Sequence, residues 1–526
     1  MPTPVIPNKL QSFLTGYDPH LSQYIIEGFT HGFKLHAKEI TSYSQSPSNS
    51  IVANRNPQAV DDKIAKEIRL RHVAGPFHHP PFSPMFISPL SLRPKNSATG
   101  WRLLHDLSYP YDDNSVNSAI ADDFKHVKYA SIQDAIAKIC SLGRNTYLAK
   151  CDIASAFTLV PIHPDDYHLL GFRWKNQYYY YTTLPQGAGS SCFIFERIAT
   201  ALEWILVNKL DVKHVIHYLD DFLFLGKTQQ ECNMGMNTFQ LLCETIGIPI
   251  NHEKTEGPVT SLSFLGIQLD TTAYTASLPL DKVNKYTQLM KQFLTRKTCT
   301  LTEMQHVIGS LQFTTSVVLP GRTFLRRLIN STIGITKSYH HIHINKSMKE
   351  DLHLWIKFLG DFNGITLFLP PVPTTSNQLN LHTDSCPQGF GGTFKSKYFF
   401  GHFPPLWQQL NICVLELFPI LLALKLYTAE MANKNIIIYS DNKAVVDVLN
   451  NKTTKQPQML SLLRVLVLHC LQHNILISSK HIPGKLNILP DALSRSIHTS
   501  SMLQEMSMDL LPTTIPEELL PQSFNL

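Results

Sequence analysis

Val215-Ile-His-Tyr-Leu-Asp-Asp-Phe-Leu-Phe-Leu-Gly226 consists of two apolar, strand-like runs that meet at adjacent carboxylates, Asp220 and Asp221. The pattern predicts a strand, a tight turn and a returning strand. Like charges at the tip of an apolar hairpin repel, and a divalent cation held between them and another acid relieves that repulsion. A third acid is therefore expected. Asp152 qualifies, because it ends the strand-like run from Thr146 to Cys151 and is followed by an Ala-Ser-Ala turn into Phe157. In isolation an Asp-Asp pair is simply a favoured turn dipeptide, so the weight falls on its surroundings.

Those surroundings are ordered. Lys95 and Trp101-Arg102 precede Asp152, Leu184-Pro185-Gln186-Gly187 lies between the two acidic segments, and Phe264-Leu265-Gly266 follows them. In this order the segments resemble reverse transcriptases. Tyr218-Leu219-Asp220-Asp221 is similar to the YxDD box, Asp152 with Phe157 to the first palm motif, and Leu184 to Gly187 to the LPQG segment. Phe264 to Gly266 sits where the primer-grip hairpin belongs. The resemblance implies two-metal phosphoryl transfer with two Mg²⁺ roughly 4 Å apart in each active site, Mn²⁺ being the alternative ion. Asp152 and Asp220 would be the main ligands and Asp221 a secondary one. Lys95 and Arg102 would contact the triphosphate, and Phe157 would exclude a 2′-hydroxyl. Gln186 and Tyr218 would lie beside the nucleotide, and Lys254, in Asn-His-Glu-Lys-Thr, would assist the pyrophosphate.

A second acidic set follows. Leu379 to Thr383 alternates apolar and polar and ends on Asp384, after which Gly389, Gly391 and Gly392 are read as a turn. Glu416 falls near the start of a helical stretch from about Val414 to Met431. The strand Ile436 to Tyr439 ends at Ser440-Asp441. A final strand, Ile475 to Ser478, leads through His481-Ile482-Pro483-Gly484 to Asp491-Ala492-Leu493-Ser494-Arg495. Each acid alone could be a helix cap. Together Asp384, Glu416, Asp441 and Asp491 resemble the acidic tetrad of ribonuclease H, and the HxPG and DALSR segments resemble retroelement versions of it. The implied reaction is two-metal hydrolysis of RNA in an RNA-DNA hybrid, with His481 aiding product release or proton transfer. Pro419 departs from a helical pattern and is tolerable only if the helix begins near Leu417 or kinks; Pro490 suits a first helical turn.

The chain has 526 residues, 43% hydrophobic and 16% charged, enough for several globular cores. Its formal charge of +6 suits a polyanionic partner. Lys282, Lys285, Lys291, Arg296, Lys297, Arg322, Arg326 and Arg327 concentrate basic groups mid-chain. Nine cysteines without a CxxC pair argue against a disulfide framework and against a zinc knuckle. His340, His341 and His343 are read as surface residues. No run of membrane-spanning length occurs, and the opening Met-Pro-Thr-Pro-Val-Ile-Pro lacks a signal-peptide pattern. An intracellular protein, cytoplasmic or nuclear and not secreted, is expected.

The predicted organisation is α+β. It comprises an N-terminal extension and linker (1–59), right-hand fingers and palm (60–270), thumb, connection and linker (271–376), an α/β ribonuclease H-like domain (377–495) and a flexible tail (496–526). The implied partners are an RNA template, a DNA primer, RNA-DNA hybrid and dNTPs, with a recombinase and a Gag-like protein from other reading frames. Pro320 to Leu328 and Leu415 to Pro419 resemble the DIRS and Ngaro group of tyrosine-recombinase retrotransposons. A Gypsy-type polyprotein fragment is the runner-up. A catalytically silent, domesticated copy that binds nucleic acid is the rival from a different class. A ribonuclease H with a purely structural N-terminal half would leave YLDD and LPQG as accidents.

Overall fold

Proline at the first helical turn, where its missing N–H costs nothing, opens both helices at the start of the chain, Pro7–Phe13 (α1) and Pro19–His31 (α2). In the computed structural model, the described residues are 1–526 without 41–46, 95–99, 112, 362–365, 368–373, 376–377, 380, 485–486, 497–499 and 525–526. They divide into two compact units, Met1–Leu262 and Ser263–Leu526. The segment read as an extension belongs to the first core: Val5, Leu10, Leu14, Ile25, Phe29, Phe33 and Leu35 are buried in the same cluster as Phe222 and Phe224. The predicted linker also holds structure. Ser50 caps a short helix, Ile51–Arg55 (α3), and Asn49 accepts from Leu90 N at 2.8 Å while donating to Arg173 O at 2.9 Å.

The first unit continues with α4 (Pro57–Arg69), β1 (Val73–Phe77), β2 (Leu90–Pro94), β3 (Trp101–His105), α5 (Val116–Ala119), α6 (Ile132–Leu142), β4 (Tyr147–Asp152), β5 (Gly171–Trp174) and β6 (Gln177–Tyr181). It ends with α7 (Ser191–Lys209), β7 (Val215–Tyr218), β8 (Asp221–Gly226), α8 (Gln229–Ile246) and β9 (Glu256–Val259). The central antiparallel sheet has the order β7-β8-β4-β9. In β8 the run Phe222 to Gly226 is wholly buried, and α7 and α8 bury Ile194, Ile198, Leu202, Phe239 and Cys243 in the same core. Strands covered on both faces lose the polar alternation of a half-exposed sheet, which is why this stretch reads as continuously apolar.

The boundary falls within β10 (Ser261–Phe264), and the second unit continues with β11 (Ile267–Asp270), β12 (Thr275–Ser277), α9 (Leu280–Thr295), β13 (Thr298–Thr300), α10 (Leu301–Thr314), α11 (Arg326–Asn330), β14 (His341–His343), α12 (Lys346–Asp361), β15 (Thr366–Leu367) and β16 (Thr374–Thr375). It goes on to β17 (His382–Ser385), β18 (Gly389–Phe394), β19 (Lys397–His402), α13 (Pro405–Gln408), α14 (Ile412–Leu426), α15 (Thr428–Met431), β20 (Asn435–Ser440), α16 (Lys443–Asn451), α17 (Pro457–Gln472), β21 (Leu476–His481), α18 (Ile488–Ser494) and α19 (Ser500–Glu505). The Thr300/Glu303 capping box is present at α10. One antiparallel sheet runs β17-β18-β19 and one parallel sheet β16-β20-β21. The segments expected as connection and ribonuclease-like domain lie in this one unit, joined by a buried charge: Asp351 of α12 pairs with Arg464 of α17 and lies 3.5 Å from Arg327.

Three expectations are corrected here. Gly389, Gly391 and Gly392 do not form a turn but lie within β18, because α18 rests directly on the strand: a Cβ at Gly391 would meet Leu493 Cβ at 2.5 Å. The helical stretch expected from about Val414 to Met431 instead runs Ile412–Leu426 under an Asn411 cap, with Pro419 enclosed in it. The loose tail is packed: Asp509 N donates to Ser396 O, Thr513 N donates to Tyr398 O, and the Phe524 ring lies edge-on to Phe418 at 5.7 Å. Unpaired groups on the edge strand β19 attract such a segment. All nine cysteines are free, and no helix among the described residues is long and apolar enough to cross a membrane.

Candidate active sites

Antiparallel pairing of β4 with β8 sets Asp152 opposite Asp221, and pairing of β7 with β8 sets Tyr218 opposite the same residue. Two residues, Leu219 and Asp220, are left to turn the chain, and Leu219 takes a left-handed φ of 53°. Ile153 N donates to Asp220 O at 3.0 Å, and Asn251 N donates to Asp152 O at 2.8 Å, which stitches the turn to the end of β4. The Asp152 side chain is 7% exposed and accepts from Lys254 Nζ at 2.8 Å. Burial, then the neighbouring Asp220 and Asp152, lifts the Asp221 carboxyl to about 6; burial, with Asp152 adding, also raises Asp220. The hydrogen bond to Asp152 raises the Lys254 ammonium in turn. Among the described residues the three palm acids do not gather their oxygens within 4.8 Å of one another; Lys254 supplies the local counter-charge.

Phe157 follows the left-handed Ser155, is half-buried and meets Phe195 edge-on at 5.9 Å. Gln186 is exposed in the loop ahead of α7, whose Ser191 Oγ donates to Pro185 O at 2.9 Å. Gly187 has φ 151°, and a Cβ there would lie 2.2 Å from the His105 carbonyl, so only glycine admits this approach. The Tyr218 ring lies 4.9 Å from Tyr129. Arg102 is exposed on β3, opposite Arg93. Lys95 lies outside the described residues. Leu265 and Gly266, both at positive φ, turn β10 into β11, so the predicted hairpin is present.

Sequence reasoning missed one group. His217, beside Tyr218, is buried between two glutamates of α7: Nδ1 pairs with Glu203, and Nε2 lies 3.2 Å from Glu196 Oε1. Burial opposes the imidazolium, yet the two carboxylates hold its pKa up to about 9. The available signal was a histidine inside an otherwise apolar strand, with two glutamates seven residues apart on one helix.

In the second unit the oxygens of Asp384, Glu416 and Asp441 all lie within 4.8 Å of one another. Asp384 comes from β17, Glu416 from the first turns of α14, and Asp441 from the residue after β20. Burial, then the other acids, pushes Glu416 up to about 9, and burial raises Asp384 to about 6. Such mutual repulsion, with oxygen-only donors, fits a hard divalent cation. Ser494 Oγ lies 2.8 Å from Asp384 Oδ2 as a donor. Asp491 lies close enough for its charge to raise both Asp384 and Glu416, while its own Oδ1 accepts from Arg495 Nε at 2.7 Å on the next turn of its helix. His481 is exposed, and its Nε2 lies 3.0 Å from the Asp441 carbonyl. Of the mid-chain basic groups, Lys282 is engaged internally, donating to Gly266 O at 3.0 Å over the Phe313 ring. His341 and His343 are exposed, as expected.

Residues 93–269 match the family described as "Reverse transcriptase (RNA-dependent DNA polymerase)". A polyprotein of Cassava vein mosaic virus is 24% identical over 369 residues, covering 66% of this chain and 52% of that protein. The Tf2-3 transposon polyprotein of Schizosaccharomyces pombe is 22% identical over 399 residues, 72% of this chain and 27% of that protein. The chain thus spans about half or less of the length of these relatives. A solved foamy viral protease-reverse transcriptase in complex with double-stranded DNA shares the fold, with a TM-score of 0.51 and 15% identity over 90% of this chain and 81% of that one. The α+β architecture of a right-hand polymerase followed by a further domain is therefore the fold of this protein.

Proposed function

We propose, starting from the reverse transcriptase domain of retroelement polyprotein type that this chain carries, that the protein is an RNA-directed DNA polymerase with a ribonuclease H activity in its second unit. The observation that carries the polymerase reading is the pairing of Asp152 with Asp221, beside the Asp220 turn, inside the matched segment 93–269. Primer 3′-oxygen would attack the α-phosphorus of a dNTP paired to an RNA template and expel pyrophosphate. Asp152, Asp220 and Asp221 would hold Mg²⁺, or Mn²⁺ in its place, which would lower the charge on the attacking and leaving oxygens. Lys254 would leave Asp152 for the pyrophosphate and supply it a proton. Phe157 would bar a 2′-hydroxyl, while Gln186, Tyr218, Arg102 and Lys95 would line the nucleotide's path.

Support for the hydrolase reading is the triad of Asp384, Glu416 and Asp441. Asp491 would join them on turning from Arg495, and His481 would serve the departing product. RNA template, DNA primer and RNA-DNA hybrid are the proposed partners, and the solved neighbour with double-stranded DNA bound supports that class of ligand. Within the retroelements the DIRS and Ngaro group is the proposed origin, with an intracellular site of action and with recombinase and Gag-like proteins from other frames. The silent, nucleic-acid-binding alternative makes the opposite prediction for rate.

The test is Mg²⁺-dependent extension of a labelled DNA primer on RNA by the full chain, with the hybrid's RNA strand followed in parallel. Extension lost in Asp220→Asn alone and cleavage lost in Asp384→Asn alone is the expected result. A well-folded parent with neither activity would put the silent reading in its place.

A further inference from the structure

Pro419 has no N–H to donate to the carbonyl four residues earlier, so Leu415 O loses its helical partner inside α14. Ser385 fills that place: its Oγ donates to Leu415 O at 2.9 Å, and the bond is buried. Ser385 follows Asp384 in β17, and Leu415 precedes Glu416 in α14. One directional bond thus joins the neighbours of two of the three clustered acids.

The rest of this helix offers little direction. From Val414 through Leu424 every side chain is buried, and all but Glu416 are apolar or proline. Apolar burial holds a helix against a sheet without fixing its slide or rotation. When both are ionised, as metal binding requires, the Asp384 and Glu416 carboxylates repel one another and favour a wider gap between β17 and α14. A buried hydrogen bond is sensitive to distance and angle, so it resists both movements.

We infer that Ser385 is a positioning residue that holds Asp384 and Glu416 at metal-binding separation, and that Pro419 serves it by keeping the Leu415 carbonyl free. This rests on the hydrolase reading of the second unit. Ser494 orients the Asp384 carboxylate from the other side, whereas Ser385 sets the distance between the two backbones that carry the acids.

The experiment uses the full chain as parent, Ser385→Ala, Ser385→Thr, Pro419→Ala and the double variant Ser385→Ala/Pro419→Ala. Two readouts are taken: the Mg²⁺ concentration for half-maximal cleavage of RNA in a hybrid, and metal-free thermal melting. Ser385→Ala is expected to raise the Mg²⁺ requirement about tenfold, the usual scale for losing a group that orients a ligand. Ser385→Thr, which keeps the hydroxyl, restores it. Alanine at 419 brings back an N–H for Leu415, so in that background the serine loss costs little melting temperature yet still raises the Mg²⁺ requirement. A double variant with the parental requirement would mean that the bond serves stability alone and overturns the inference. If the parent does not cleave, the hydrolase reading fails, and calorimetric Mg²⁺ binding decides positioning. Binding that is lost in Asp384→Asn but unchanged in Ser385→Ala, or no binding that depends on Asp384, overturns it as well.

Discussion

Lys254 Nζ donates to Asp152 Oδ2 at 2.8 Å, an ion pair with an exposed lysine on one side and a carboxylate only 7% exposed on the other. Their separation in sequence is 102 residues. The pair makes Lys254 part of the acidic centre, whereas in the sequence only the resemblance pointed to it. Its exposure limits what the pair adds to stability, so its consequence is expected in rate. Lys254→Ala should lower primer extension about a hundredfold, the scale of a lost general acid, while RNA cleavage by the second unit stays at the parental level. Equal loss of both activities would instead indicate a folding defect.

Glu416, raised to about 9, holds a proton at neutral pH, and Asp384, near 6, is mostly ionised there. A cation binds the ionised forms, so at pH 7 metal uptake by the triad should release about one proton. Calorimetry in two buffers of different ionisation enthalpy reads this directly. Glu416→Gln should abolish the release.

His217 is held cationic between Glu196 and Glu203 with its pKa near 9. A raised folded-state value means that the stabilisation is fully present below the unfolded value, about 6.5, and is lost as pH rises through 9. The melting-temperature gap between parent and His217→Gln should therefore be widest near pH 6 and close by pH 10. A gap that does not change with pH would mean that packing, not charge, holds His217.

Asp351 is fully buried against Arg464 and Arg327. Removing the carboxylate leaves buried guanidinium charge without a partner, which costs about 3 kcal/mol or more. Asp351→Ala should lower the midpoint of urea unfolding of the second unit and leave that of the first in place.

The C-terminal segment rests on β19 and on α14 through Phe524. Phe524→Ala should cost about 1 kcal/mol, the scale of a half-buried aromatic contact. Ending the chain after residue 499 should cost more, because it also bares the backbone groups of the edge strand. Parental melting in the shortened chain would mean that the segment adds nothing.

The hairpin of residues 215–226 was legible because its information is local: alternation, an apolar run and a turn at two acids are written within twelve consecutive residues. The α10 capping box is equally local, since Thr300 and Glu303 lie three residues apart. The glycines of β18 were misread as a turn, since their true cause, a helix laid on the strand, comes from residues about a hundred positions later. For Pro419 the local pattern left a helix start near Leu417 and a kink both open, because Ser385, which satisfies the Leu415 carbonyl that the proline orphans, lies thirty residues before Leu415.

By itself the sequence determined which acids end which elements, and hence a polymerase-type hairpin and a second acidic set, because strand and turn preferences act over a few residues. Only the tertiary structure decided which of those acids meet. Asp384, Glu416 and Asp441 converge while Asp491 turns to Arg495, and Asp152 takes Lys254. Charges interact through space, where separation along the chain carries no weight, and burial by distant segments sets how strongly they do so.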